Sequence, residues 1–285
     1  MKIKFFIFLI ILLFLNSCQQ KQKINLAVNE WIGYAPLFYA NEKGWLKKEN
    51  IKLIRTVSLG ESIKLFENGL VEAFTATQYE FNLIKSKVVP IILLDKSYGG
   101  DMILSNSSIQ ELNNSKKVDA YLELDSVNYL LLKYFTTKYD IDIKKFNFIN
   151  KDQKQITNQQ FDFSKPILIV TYTPYDIILK KQGFKTIAST KTDDDLIVID
   201  ALFIDKDLKN DKRFLSLSKQ INKAILEIQK NPKKAYNLIK NYYPNLSFAE
   251  FKKELTYIKW INNNKKLLKR LENIDFNTKD LIYEN

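Results

Sequence analysis

Histidine is absent from all 285 residues, and cysteine occurs once, at Cys18. Without an imidazole there is no Ser-His-Asp triad, no Cys-His pair and no His-ligated zinc. A single thiol allows neither an internal disulfide nor a multi-cysteine metal site. Arginine is scarce too: only Arg55, Arg213 and Arg270 stand among the 44 basic residues, so lysine carries most of the net charge of +12. Those lysines are spread along the chain and mixed with acids. A nucleic-acid binder would gather its cations on one stripe with arginines for phosphate, so no nucleic-acid partner is expected. Seven glycines and six prolines, beside 46% hydrophobic and 13% aromatic residues, exclude disorder and collagen-like order. The length suits one or two globular domains. Together these absences favour binding over chemistry, and neither enzymatic activity nor a cofactor is expected.

What is present begins with an address. Lys2 and Lys4 precede an unbroken apolar run over residues 5–15, FFIFLIILLFL, which ends at Leu15-Asn16-Ser17-Cys18 before the polar Gln19-Gln20-Lys21. A basic start and roughly ten apolar residues make a signal peptide that is too short to span a bilayer. Its end resembles the lipobox of a bacterial lipoprotein. That resemblance implies removal of residues 1–17 and a lipid on Cys18, holding the protein to a membrane in the periplasm or at the cell surface. The alternative is an ordinary cleaved signal with an incidental cysteine. No later run reaches the ~20 apolar residues of a membrane-spanning helix.

Downstream, hydrophobic periodicity predicts strands over residues 24–29, 51–57, 71–76 and 88–94. Helices are expected from Pro36 to Gly44, from the capping box at Ser58 to Asn68-Gly69, and over 78–86. This βαβαβαβ order predicts a parallel sheet covered by helices on both faces. After a break at Tyr98-Gly99-Gly100 a second set follows. It has strands over 102–105, 118–122, 146–150, 167–172 and 185–188, and helices over 174–182 and from Asp125 or Ser126 to Lys138. Residues 151–160 read as a polar loop and 196–204 as a strand. The remainder reads as helical over 214–229, 232–242 and 248–260, with Leu215, Ile221, Ile225, Ile228, Ala235, Leu238 and Ile239 as core faces. Two α/β units with a helical tail imply two lobes and a cleft, with ligand beyond the carboxyl ends of the strands.

Several segments, in order, resemble periplasmic solute-binding proteins of the nitrate/sulfonate/taurine ABC-importer type, which are related to thiamine-precursor binding proteins. They are Trp31-Ile32-Gly33-Tyr34-Ala35-Pro36-Leu37-Phe38-Tyr39-Ala40, then Glu42-Lys43-Gly44-Trp45-Leu46-Lys47-Lys48-Glu49, then Leu94-Asp95-Lys96-Ser97-Tyr98-Gly99-Gly100-Asp101. Val170-Thr171-Tyr172-Thr173-Pro174-Tyr175 and Ile199-Asp200-Ala201-Leu202-Phe203 complete the set. The resemblance implies a type II-like periplasmic-binding-protein fold: two α/β lobes, two crossovers, a ligand cleft between the lobes and a helical C-terminal tail. Residues 18–98 and 200–285 are expected to build the first lobe and residues 99–199 the second.

The loops after the strands hold the candidate ligand-binding residues. Trp31 and Tyr34 offer flat rings that stack a ligand or cage a cation, and Gly33 allows close backbone approach. Packing against the next helix is the alternative. Ser58 and Thr77 present hydroxyls at helix N-termini and are equally suited to capping. Asp101 is an acceptor for an amine or amide, with Asp95 and Ser97 beside it. Glu123 and Ser126 lie where a second-lobe strand meets its helix. Thr171, Tyr172 and Tyr175 flank Pro174 at the edge of the second lobe. Asp200, an acid inside the apolar run 197–203, needs a buried partner: a hinge network first, a ligand second. Asp193-Asp194-Asp195 reads as a solvated turn rather than a metal loop.

None of these loops carries arginine. Their acids and aromatics suit an amine, amidine or heteroaromatic ligand better than a simple sulfonate or nitrate. The expected function is capture of a small organic nitrogen- or sulfur-containing solute, sulfonate/taurine-like or pyrimidine/amine-like. A lipid-anchored monomer would close on it and deliver it to ABC permease subunits. A lipoprotein that presents its ligand to a membrane sensor is the alternative. A pyrimidine-forming synthase branch also resembles this fold, but that chemistry involves a histidine, which this chain lacks.

Overall fold

The first sheet forms where short apolar strands alternate with capped helices. A computed structural model describes residues 22–191, 196–261, 269, 271–273 and 276–282. The signal peptide, Cys18, the Asp193-Asp194-Asp195 turn and residues 262–266 lie outside the described residues. The chain begins with β1 (Ile24–Val28), α1 (Ala35–Glu42), α2 (Trp45–Lys48), β2 (Ile51–Arg55), α3 (Leu59–Glu67), β3 (Ala73–Thr77), α4 (Gln78–Ile84) and β4 (Val88–Ser97). β3 is buried at every position, as expected of a strand covered on both faces. Ser58 Oγ accepts from Glu61 N at 3.0 Å to start α3, and Gly69 follows its end with φ +68°.

The second sheet is built from β5 (Asp101–Ser105), α5 (Ile109–Asn114), β6 (Val118–Leu122), α6 (Val127–Lys138), β7 (Phe146–Asn150), α7 (Gln153–Thr157), β8 (Ile167–Tyr172), α8 (Tyr175–Lys181) and β9 (Lys185–Ser189). The chain then returns through β10 (Ile199–Asp205), α9 (Arg213–Lys230), α10 (Pro232–Ile239), α11 (Phe248–Glu254) and β11 (Ile258–Trp260). The strand orders are β11-β4-β10-β3-β1-β2 and β7-β6-β8-β5-β9. Each sheet carries a hydrophobic cluster on both faces, so each lobe has its own core.

The first sheet is mixed rather than parallel. β1 is parallel to β2 and β3, but β10 runs antiparallel between β3 and β4. The reason is directional. β4 leaves the first lobe at the cleft, so β10 must re-enter from the cleft and run the opposite way. β5 is reversed against β8 for the same reason. Three local expectations are also corrected. Residues 248–260 are not one helix: α11 ends at Glu254, and Ile258–Trp260 pairs antiparallel with the edge of β4. Residues 151–160 are not all loop, because Asp152 and Gln155 form a reciprocal capping box that opens α7. Leu215 is 44% exposed; the buried stripe of α9 runs through Phe214, Leu217, Ile221, Ala224, Ile225 and Ile228, at helical spacing.

The two crossovers are tied together by buried hydrogen bonds. Ser97 Oγ and Thr190 Oγ1 are 2.7 Å apart, and Thr190 Oγ1 also accepts from Gly99 N at 2.8 Å. Thr190 N donates to Asp101 O at 3.0 Å and Ser97 N to Val198 O at 3.0 Å. Thr190→Val keeps the shape and removes the hydroxyl, leaving Gly99 N without its acceptor. Urea denaturation is expected to show a loss of about 1–3 kcal/mol.

Candidate functional site

The first-lobe wall of the cleft grows from the turn after β1. Asn29 Oδ1 accepts from Trp31 N at 3.3 Å and bends the chain back. The Trp31 indole then donates to Asp95, at 3.1 Å to Oδ1 and 3.3 Å to Oδ2. Tyr34 donates its hydroxyl proton to Asp200 Oδ1. Asp95 and Asp200 face each other in the β4–β10 register, and Thr77 faces Asp200 from β3. Burial pushes Asp95 well above the usual carboxylate range, with the indole pulling down and Asp101 pushing up. Asp200 is raised by burial and then by Asp95, against the pull of Tyr34. Buried carboxylates this close do not both ionise.

Gly33 is explained by the same acids. A Cβ there would lie 2.0 Å from Asp95 Oδ2 and 2.4 Å from Trp31 Nε1. Its missing side chain makes room for the Trp31–Asp95 pair, where the sequence suggested room for a ligand. The Gly33 carbonyl accepts from the Trp260 indole at 3.1 Å, so β11 braces the turn from behind.

The second-lobe wall is Tyr172, at the end of β8 and opposite Asp101 in the β5–β8 register. Its ring meets Trp31 edge-on at 6.0 Å and Tyr175 at 5.4 Å. Its hydroxyl accepts from Asn29 Nδ2 at 3.3 Å and donates to Glu123 Oε1 at 3.4 Å. Between the walls, Asn29, Trp31, Tyr34, Thr77, Asp101 and Tyr172, joined by Leu59, Val127 and Asp200, enclose a cavity of only about 10 Å³. That is room for about one water.

Polar contacts close the seam around this cavity. Thr77 caps α4 in a reciprocal box with Glu80, whose other oxygen, Oε1, accepts from Val127 N at 2.7 Å across the seam. Glu30 accepts from Arg55 of its own lobe and from Lys154 of the other at 3.0 Å; the Tyr175 hydroxyl reaches it at 3.5 Å. Lys64 meets Asp125 at 3.1 Å, close to where a Cβ on Gly60 would lie 2.7 Å from Asp125 Oδ2.

Of the residues suggested by the sequence, Trp31, Tyr34, Thr77, Asp101, Tyr172 and Asp200 meet at the cavity. Tyr175 and Glu123 stand directly behind Tyr172. Ser58 and Ser126 take the helix-cap role that the sequence also allowed. Ser126 Oγ accepts from Asn128 N at 3.2 Å and donates to Glu123 O at 3.1 Å. Thr171 is turned into the second lobe, where it donates to Gln153 Oε1 at 2.7 Å. Sequence reasoning missed Asn29, Leu59, Glu80 and Val127. For Glu80 a signal existed, since Thr77-x-x-Glu80 is a capping-box spacing.

Four buried acids keep an unpartnered oxygen; Asp176 and Glu254 lie away from the cavity, and two belong to it and to the wall behind Tyr172. Asp101 Oδ2 and Glu123 Oε2 are sealed from solvent with no hydrogen-bond partner. Burial raises Asp101 to about 7; Ser97 pulls it down and Glu80 pushes it up. Burial raises Glu123 to about 8, with Gln153 opposing and Asp125, Glu80 and Asp152 adding to the rise. Among the described residues, no group of three or more acids or cysteines is placed to hold a metal ion.

Gly33→Ala is expected to destabilise the protein by about 1–3 kcal/mol in denaturant titration, because the new methyl displaces both Asp95 and the Trp31 indole. The raised acids also set a pH dependence. The folded state holds protons on Asp101 and Glu123 that the unfolded chain has released. Stability therefore falls as pH rises from the ordinary carboxylate range to about 7 and 8. The slope expected from each group is roughly 1 kcal/mol per pH unit. Thermal melts of the solute-free protein between pH 5 and 8 check this, and a Tm that climbs with pH contradicts it.

No protein-family model matches the chain, and no curated protein does. Solved structures match over most of its length. One is the zinc-bound ligand-binding component of an ABC-type import system from Staphylococcus aureus. Its TM-score is 0.69 at 12% identity, covering 90% of this chain and 92% of that one. Another is the alkanesulfonate-binding protein SsuA of Xanthomonas axonopodis pv. citri bound to MOPS, with TM-score 0.70 at 10% identity, covering 88% and 90%. The periplasmic nitrate-binding protein NrtA of Synechocystis PCC 6803 follows at 0.62 and 14%, covering 81% and 69%. At such identities the likeness is one of architecture. With two α/β lobes, two crossovers and a cavity at the strand ends between them, this chain has the periplasmic-binding-protein fold, of the type II-like form.

Proposed function

We propose that this protein is an extracytoplasmic solute-binding lipoprotein of an ABC importer, held to its membrane by lipid on Cys18. It captures a small organic solute between its lobes, closes on it and delivers it to the permease without altering it. The observation that carries this reading is the cavity itself. It lies beyond the carboxyl ends of β1, β3 and β8 and is lined by residues from both lobes; at about 10 Å³ it admits an organic solute only once the lobes part. The likeness to import-system binding components supports the reading.

The seam is suited to opening and closing. Three of the larger clusters keep to one lobe each, so separation about the crossovers leaves them whole; Tyr172 and Tyr175 of the second lobe, which pack on the first-lobe core, would be uncovered. Glu80 to Val127 N, Lys154 to Glu30, and Asn29 to Tyr172 are polar contacts that water replaces at small net cost. Lys64–Asp125 and Lys181–Glu250 are exposed ion pairs of little weight. Leu59, Val127 and Val198 form a small apolar cluster across the seam that reforms on closure. A hinge with this balance closes when a solute adds its own contacts to both walls.

The test is small-angle scattering and thermal melting of the purified protein with sulfonates, nitrate, amines and pyrimidines. At least one solute is expected to reduce the radius of gyration and raise Tm together. If none of these classes changes either quantity, the solute-capture reading fails.

A further inference from the structure

Hydrogen bonding sorts the buried acids of the seam into two kinds. Asp95 is occupied by the Trp31 indole, Asp200 by the Tyr34 hydroxyl, and Glu80 by the N–H groups of Thr77 and Val127. These three position the walls. Asp101 and Glu123 each keep one carboxylate oxygen, Oδ2 and Oε2, without a donor, although Asp101 is only 4% exposed and Glu123 only 2%. A sealed acceptor left unpaired is unfavourable, and natural interiors rarely leave one without a reason.

Asp101 lines the cavity, and Tyr172 links it to Glu123. No lysine or arginine lines that cavity. Arg55 and Lys154 are both held at the seam by Glu30. Among the described residues, nothing supplies a counterpart for these two oxygens. An anion entering here would meet Asp101 and Asp200 with no side-chain cation to offset them. A protonated nitrogen would give Asp101 its missing donor, and the faces of Trp31, Tyr34 and Tyr172 attract positive charge as well.

We propose that the cleft selects a small organic cation bearing N–H donors, and that Asp101, with Glu123 behind Tyr172, receives its charge. This rests on the solute-capture reading and narrows its ligand class. Asp101 is the direct acceptor. Glu123 acts on the same charge from the far side of the Tyr172 hydroxyl. The free Asp101 oxygen is kept unpaired within the protein because the solute completes it.

The test is calorimetric titration, with scattering alongside, of the purified protein at about pH 8, where Asp101 is largely ionised. The probes are 4-aminopyridinium, benzamidinium and methylammonium, set against benzenesulfonate, ethanesulfonate and nitrate. At least one cation is expected to bind and close the lobes. Asp101→Asn should weaken it about ten- to hundred-fold, and Glu123→Gln by a smaller factor. Both variants are expected to melt no lower than the parent without solute, since a neutral amide removes a buried charge. That outcome separates lost recognition from lost folding. Binding and closure by the anions but not the cations would overturn the cation assignment and leave solute capture standing. Cation binding of equal strength in Asp101→Asn and Glu123→Gln would overturn the assignment of these residues. No binding and no closure with any probe would overturn the inference together with the reading beneath it.

Discussion

A carboxylate removed from water without a cation beside it is among the costliest groups to place inside a protein. The seam between the lobes holds Glu80, Asp95, Asp101, Glu123 and Asp200 in that condition. Much of the local architecture answers to them. The turn after β1 brings an indole and a phenol to Asp95 and Asp200, and Gly33 gives up its side chain so that the indole can arrive. The cap of α4 is Thr77 because Glu80 can bind it from within the same turn and still reach across to α6. Burial makes the acids hold their protons longer, and Asp101 and Glu123 are raised to about 7 and 8.

The acids meet because of the way the chain crosses between lobes. β4 leaves the first sheet and β10 re-enters it at the same end, so their antiparallel ladder sets Asp95 beside Asp200. β5 begins at that end too, which sets Asp101 against Tyr172. The crossovers between the lobes therefore also assemble the floor of the cavity. Ser97 and Thr190 serve both purposes: they bind one crossover to the other, and Ser97 Oγ accepts from Asp101 N at 3.0 Å. In the proposed closure, motion about the crossovers moves the charged floor with it.

Much of this architecture was legible in order but not in arrangement. The strands of both sheets and the caps at Ser58, Thr77 and Ser126 follow from local periodicity and capping chemistry, which depend on neighbours within a few residues. Trp31, Tyr34, Asp101 and Asp200 could be singled out because aromatic rings and acids are unusual in loops after buried strands or inside apolar runs. The roles that local chemistry left open share one cause. Ser58, Ser126 and Thr171 carry the same hydroxyl chemistry whether they face a ligand, a helix end or a core glutamine, and only the packing of the second lobe turned Thr171 towards Gln153. β11 was hidden because Ile258–Trp260 is too short to show a period and becomes a strand only by lying along β4.

By itself, then, the sequence determined the alternation of strands and helices, the basic and apolar run ahead of Cys18, and the lack of any histidine or second cysteine. Each of these resides in residue type and local spacing. Tertiary structure alone decided that β10 lies antiparallel between β3 and β4, that Gly33 serves a buried acid, and that Asp101 and Glu123 are left with an oxygen no side chain answers. Those facts depend on atoms far apart in the chain meeting in a sealed space. No local pattern records which buried oxygen will find a donor there.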